Sequence, residues 1–203
     1  AAGNSFCHAG RDCRASLGSN RKRRAVAWRR SFVQHEATGN VQGKNDVGGL
    51  VGNNNNLIER SFAKGNVTAN NFRVGGFVGF NEKGIIKNSY SRGNASSIDI
   101  RVGGFVGTND GMSSIINSYS TGNVRGKPQV GGFNGLNSGT ITKSFYDQTN
   151  VLCSVVGSGV CNTDNAATKV NLINPTWTTW DYSTIWKTDI NNINDGYPIL
   201  MWQ

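Results

Sequence analysis

Few side chains in this 203-residue sequence could do chemistry. The histidines are His8 and His35, and the cysteines are Cys7, Cys13, Cys153 and Cys161. A Ser/His/Asp or Cys/His site needs an imidazole held by a folded scaffold. Both histidines fall in a basic head, so no such site is expected. The sequence HExxH, which sets two zinc-binding imidazoles on one helical face, does not occur. Cys7, His8 and Cys13 offer at most three ligands without CxxC spacing, a weak case for zinc, and no metal or cofactor is expected. Cys153 and Cys161 bracket SVVGSGV, a glycine-containing loop that suits a local disulfide in an oxidising compartment. Asp99, Asp110 and Asp147 lie in or near turns, but they share no common position, so nothing recommends them as the paired carboxylates of a glycosidase. DINNINDG, at Asp189 to Gly196, has the look of a calcium loop, yet Ile193 stands where a third ligand would fall and no terminal Glu follows; a polar turn is the plainer reading. The expectation is a chain that is not an enzyme.

What remains is surface charge, and its placement is set by a repeat. RVGGFVGFNEKGIIKNSYSRGNA, at Arg73 to Ala95, recurs as RVGGFVGTNDGMSSIINSYSTGNV at Arg101 to Val124. The valine of the phrase stands at Val47, Val74, Val102 and Val130, steps of 27, 28 and 28 residues, within the range that marks solenoids, propellers and arrays. Aligned on it, Asn54, Asn81, Asn109 and Asn137 form one column, Ile58, Ile86, Ile115 and Ile141 a second, Phe62, Tyr90, Tyr119 and Phe145 a third, and Asn66, Asn94, Asn123 and Asn150 a fourth. ATGNV at Ala37 to Val41 matches the close of a repeat, so the array starts about half a repeat before Val47.

Each repeat holds two runs of strand character, VGGFVG and IIKNSYS in the second copy, separated by Asn and Gly that suit turns of positive φ. Helical periodicity is absent. Twenty-eight residues at roughly 3.3 Å each make one coil of a β-solenoid, with coils stacked at about 4.8 Å and identical residues in ladders. The 27 Asn and 27 Gly then have work to do, as amide ladders between coils and unstrained corners, while valine, isoleucine and aromatic ladders fill the core. A propeller is the competitor, but its blades usually need about 40 to 45 residues. The fold class is therefore all-β, a repeat β-solenoid of 27 to 28 residues per coil.

The phrase VGGFVGxN, a turn, IxNSYSTGNV and again VGG resembles the GLUG repeat over residues 37 to 150. That resemblance implies a secreted or surface-exposed bacterial or archaeal protein, since GLUG repeats occur in adhesin-like and haemagglutinin-like chains and beside immunoglobulin A peptidase domains; it implies no activity for the repeat itself. The fourth copy departs from the pattern with Asn134 in an apolar position and DQTNV for STGNV, as terminal repeats do. Two function classes follow: an adhesive or structural surface module presenting a ladder to a glycan, protein or envelope partner, or the accessory region of a larger extracellular enzyme.

Stacking places Arg73 beside Arg101 and Lys64 beside Arg92, basic columns that could bind an acidic glycan or surface protein, or simply splay into solvent. Residues 151 to 203 carry four of the five tryptophans, Trp177, Trp180, Trp186 and Trp202, and read as an aromatic-rich C-terminal cap over the open end of the stack; a carbohydrate platform of exposed Trp is the alternative. Residues 1 to 36 hold +6 of the formal net charge of +9. They read as an ordered cap, a poorly ordered arm cut first by trypsin at RKRR, or a segment not native to the fold. No nucleic-acid module accompanies this charge, so sequence-specific nucleic acid is not an expected partner. No run of about 18 apolar residues could span a membrane and no signal peptide is visible, so the chain reads as a mature form or a fragment; the GLUG resemblance implies a place outside the cell or at its surface.

Overall fold

A computed structural model describes residues 31–156 and 161–203, and the backbone of Cys13–Ala15. Each coil of the array consists of five short strands. In the first complete coil they are Val47–Gly48, Val51–Asn54, Leu57–Glu59, Phe62–Ala63 and Val67–Ala69. Strands at equivalent positions pair in parallel along the stack, so the β-solenoid of about four turns has five sheet faces, numbered 1 to 5 in that order. Register is in step throughout: Val47, Val74, Val102 and Val130 stack in face 1, and Ile58, Ile86, Ile115 and Ile141 in face 3. Parallel stacking rather than antiparallel blades excludes the propeller.

Alternation within each strand decides what the core contains. Valines of faces 1 and 5 form one buried cluster, and Ile58, Ile86 and Ile115 with Phe77, Phe105 and Phe133 form another. The three phenylalanines stack with centroids 4.8 and 4.9 Å apart, as expected of one coil rise. Asparagines of face 2 point inward too, and their amides run unbroken along the stack. Nδ2 of Asn54 donates to Oδ1 of Asn81 at 2.7 Å, Asn81 to Asn109 at 2.8 Å, and Asn109 to Asn137 at 2.8 Å.

Several expectations change. The Phe62, Tyr90, Tyr119 and Phe145 column of face 4 does not line the solenoid core: it points outward, because the next residues, Ser91 and Ser120, turn inward to donate to the Gly104 and Gly132 carbonyls. Asn150 leaves its column as well. Face 5 pairs Val124 with Cys153, so Leu152 sits over Asn123, while the Asn150 amide donates to Asp147. At the other end, Phe32–Val33 and Glu36–Ala37 pair with faces 3 and 4 of the first complete coil. The array thus reaches back beyond Ala37 into what read as the basic arm. Cys13–Ala15 adds an antiparallel strand on Val41–Gly43, and the RKRR run lies outside the described residues.

Glycine's role also differs from the expected one. Among described glycines only Gly196 has a positive φ. The left-handed corners are taken by Asp46, Arg73, Arg101 and Gln129 before face 1, and by Gln34, Arg60, Asn88, Asn117 and Lys143 between faces 3 and 4. Glycine is needed instead for close approach. A Cβ on Gly93 would fall on the Gly65 carbonyl oxygen of the coil before, and one on Gly104 on the Gly132 carbonyl.

The tryptophan-rich segment covers a flank rather than an end. Two short helices, Lys169–Leu172 and Pro175–Thr178, and a paired Trp186–Lys187 and Ile199–Leu200 lie along face 4. There Trp180, Trp186, Tyr197 and Leu200 bury the aromatic column in a second core. The end is closed by other residues. Asn162 bridges to Gly131 of face 1, and Ala166–Ala167 pairs with Tyr146–Asp147 of face 4. Tyr146, standing where earlier coils have Ser91 and Ser120, buries its ring against Gly132.

Candidate functional site

The basic columns sit where the alignment puts them, but their side chains do not stand free in solvent. Arg73 reaches back one coil: Nη2 donates to Asp46 Oδ2 at 3.0 Å, Nε pairs with the other carboxylate oxygen, and the guanidinium lies 4.3 Å from the Phe80 centroid and 4.9 Å from that of Phe72. Burial raises the Asp46 carboxyl above its usual range against the pull of Arg73. Arg101 turns the opposite way, donating from Nε to Gln129 Oε1 at 3.1 Å on the following coil. The like charges expected to face one another are thus drawn apart by partners above and below. Among described residues Arg101 has no ion pair, and Arg125 and Lys127 are exposed one coil further on.

Lys64 and Arg92 are covered by the tail. Arg92 donates to the backbone carbonyl and side chain of Asn194 and pairs with Asp195, with its guanidinium 4.9 Å from the Tyr197 centroid. Lys64 donates to the Ile193 carbonyl and lies 5.2 Å from the Phe62 centroid. Burial, then the Arg92 charge, lowers the Lys64 ammonium. This column anchors the loop Asp189–Gly196 instead of facing an external anion. The loop itself closes on Asp189, whose carboxylate accepts the backbone N–H groups of Ile193, Asn194 and Gly196, as a polar turn does.

Around that anchor the flank is held by hydrogen bonds that one-dimensional alignment could not display. The Tyr119 hydroxyl donates to the Pro198 carbonyl at 2.6 Å and accepts from Asn194 Nδ2 at 2.6 Å. Tyr197 donates its hydroxyl to Asp147. Burial alone would raise the Asp147 carboxyl, but bonds from Tyr197, Asn150 and the backbone of Thr149 and Asn150 hold it below its ordinary value. Tyr90, Tyr119 and Tyr197 are all raised, chiefly by burial. Trp202 donates its indole N–H to the Arg60 carbonyl and Trp180 to that of Lys143, each at 2.9 Å.

The remaining candidates lie apart. Asp99, Asp110 and Asp147 occupy different corners of the coil, with Asp147 buried. His35 places Nδ1 3.0 Å from the Val33 carbonyl. Cys7 and His8 lie outside the described residues, as does the side chain of Cys13. Among the described residues no three His, Cys, Asp or Glu side chains gather as a metal would require, and no helix is long and apolar enough to cross a membrane. Cys153 and Cys161 form a disulfide, with Cα atoms 6.1 Å apart, that ties the last strand of face 5 to the segment closing the stack.

A family model described as the GLUG motif matches residues 70–96 and 99–125. These are the two interior coils, and the coils before and after them stack on them in register. No curated protein and no solved structure matches the chain.

Proposed function

For this GLUG-repeat chain we propose a non-catalytic role outside the cell, as an adhesive or structural solenoid that offers its outward columns to an acidic glycan or a surface protein. The supporting observation is the unbroken register of all five faces through the array. Each outward position, though not each residue type, is thereby repeated about every 4.8 Å along one direction, a geometry for many weak contacts with a linear polymer rather than one deep site. Arg101, Arg125 and Lys127 are the cations offered for such contacts here, since Arg73, Lys64 and Arg92 are satisfied within the molecule; Lys83 and Lys143 are exposed elsewhere on the coil. Binding to a polyanion would gain from multivalency and fall steeply with salt.

The test is binding of heparin, as a model acidic polysaccharide, to the full chain at low and high salt. Replacing Arg101, Arg125 and Lys127 together by Gln should weaken binding several-fold without altering the far-ultraviolet circular dichroism. Gln at Arg21, Lys22, Arg23 and Arg24 separates the contribution of the head. If the triple variant binds as well as the parent, the three cations are solvated surface and the acidic-glycan reading fails.

A further inference from the structure

We propose that Asn66 and Asn94 are acceptors for N-linked glycosylation. The asparagines entering face 5, Asn40, Asn66, Asn94 and Asn123, form a second column, distinct from the buried amide ladder and exposed to solvent. Each Oδ1 accepts the backbone N–H one coil further on, from Asn94 to Asn66 at 3.0 Å and from Asn123 to Asn94 at 2.9 Å. No hydrogen bond leaves Nδ2 of Asn66 or Asn94 among the described residues. Each amide is therefore fixed through its oxygen with its nitrogen available to solvent.

The hydroxyl that such an acceptor needs stands beside it. Asn-x-Ser/Thr with x other than proline is the acceptor pattern, and of the 27 asparagines only Asn66-Val67-Thr68 and Asn94-Ala95-Ser96 satisfy it; Asn174-Pro175-Thr176 is excluded by its proline. Val67 and Ala95 are buried, so alternation returns Thr68 and Ser96 to the outward side with the amide. The inward ladder could not accept a sugar. Asn81 uses Nδ2 for both Asn109 and Gly84, and none of Asn54, Asn81, Asn109 or Asn137 has Ser or Thr two residues on.

In the transfer, Nδ2 forms a bond to C1 of a sugar activated as a nucleotide or lipid (pyro)phosphate. The C1–O bond to phosphate breaks, the phosphate leaves with the electron pair, and one amide proton is lost. Oδ1 is untouched, so the bond it accepts from the next coil survives.

The site rests on the extracellular reading above, and the test separates the two. The full chain, isolated from the cells that make it, is digested with trypsin, and the peptides Gly65–Arg73 and Gly93–Arg101 are weighed before and after enzymatic deglycosylation, which converts a glycosylated Asn to Asp. At least one peptide should carry the mass of one or more sugars. Asn66→Gln and Thr68→Val should each remove it from the first peptide, and Asn94→Gln and Ser96→Ala from the second, with circular dichroism unchanged. Unmodified asparagines in chain recovered from the medium or cell surface overturn the site while leaving the extracellular reading intact. Unmodified chain found only in the cytoplasm overturns both.

Discussion

Removing one amide from the middle of the buried ladder should cost far more than removing one from its end. Oδ1 of Asn81 accepts from Asn54, and its Nδ2 donates to Asn109 at 2.8 Å and to the Gly84 carbonyl at 3.1 Å. Truncation to Ala leaves three groups without partners inside the stack. Each costs roughly 1–3 kcal/mol, and since the remaining coil relaxes partly, a total of about 3–5 kcal/mol is expected for Asn81→Ala. Asn137, exposed at the end of the ladder, accepts from Asn109 Nδ2 and the Gly139 N–H. Water reaches what its removal leaves, so Asn137→Ala should cost only about 0.5–1.5 kcal/mol. Asn81→Asp keeps the shape but replaces the Nδ2 donor with a carboxylate oxygen, an acceptor set against the acceptors Asn109 Oδ1 and the Gly84 carbonyl, so it should be at least as damaging as the alanine. Guanidinium unfolding followed by circular dichroism, with slopes compared to confirm that the same surface unfolds, gives all three values. Equal losses for Asn81→Ala and Asn137→Ala would refute the ladder as a source of stability.

Reduction of Cys153–Cys161, or Ser at both positions, releases a loop closed over a sequence separation of 8; loop entropy puts the loss at about 2.5 kcal/mol, and denaturant unfolding of the oxidised and reduced chain measures it. The flank should loosen at both pH extremes. Asp147 and Asp195 have lowered folded-state pKa values, the first through the hydrogen bonds of Tyr197, Asn150 and the backbone against its burial and the second through Arg92. Their stabilisation is therefore full above the unfolded value of about 4 and lost as pH falls through the folded one. Tyr90, Tyr119 and Tyr197 are raised by burial, so theirs is full below about pH 10 and lost above it. Tryptophan emission against pH reads both limbs, and Asp147→Asn should flatten the acid one.

Periodicity made the coil length, the valine, isoleucine and inward asparagine columns and the local disulfide legible, because each depends on position along the chain. Direction was harder to read. The face 4 aromatics and the inward Phe77, Phe105 and Phe133 are equally apolar, and only the parity of the strand separates an inner core from an outer one. The pairing of Arg73 with Asp46 and of Arg92 with the tail was also hidden, since a column shows which residues are neighbours and not which way a long side chain turns. In the fourth copy, alignment by residue type favoured Asn150, whereas the backbone carries two further residues before face 5 and puts Leu152 there. The candidate surface was accordingly less legible than the fold: sequence located Arg73, Arg101, Lys64 and Arg92, while Asp46 takes up the first and the tail the last two.

The tail along face 4 also bears on how the molecule would carry force. In a stack of repeats each unit normally touches only its neighbours, so coils can come away singly from an end. Here Trp202 stacks on Phe62 in the first complete coil, Gln203 meets Tyr90 in the second, Tyr197 lies over Tyr119 in the third, and Trp177 and Trp180 pack on Phe145 in the fourth. Tension along the stack would have to shear this seam of rings across four coils before the outermost could peel, so the tail acts as a splint that makes the array bear load as one piece.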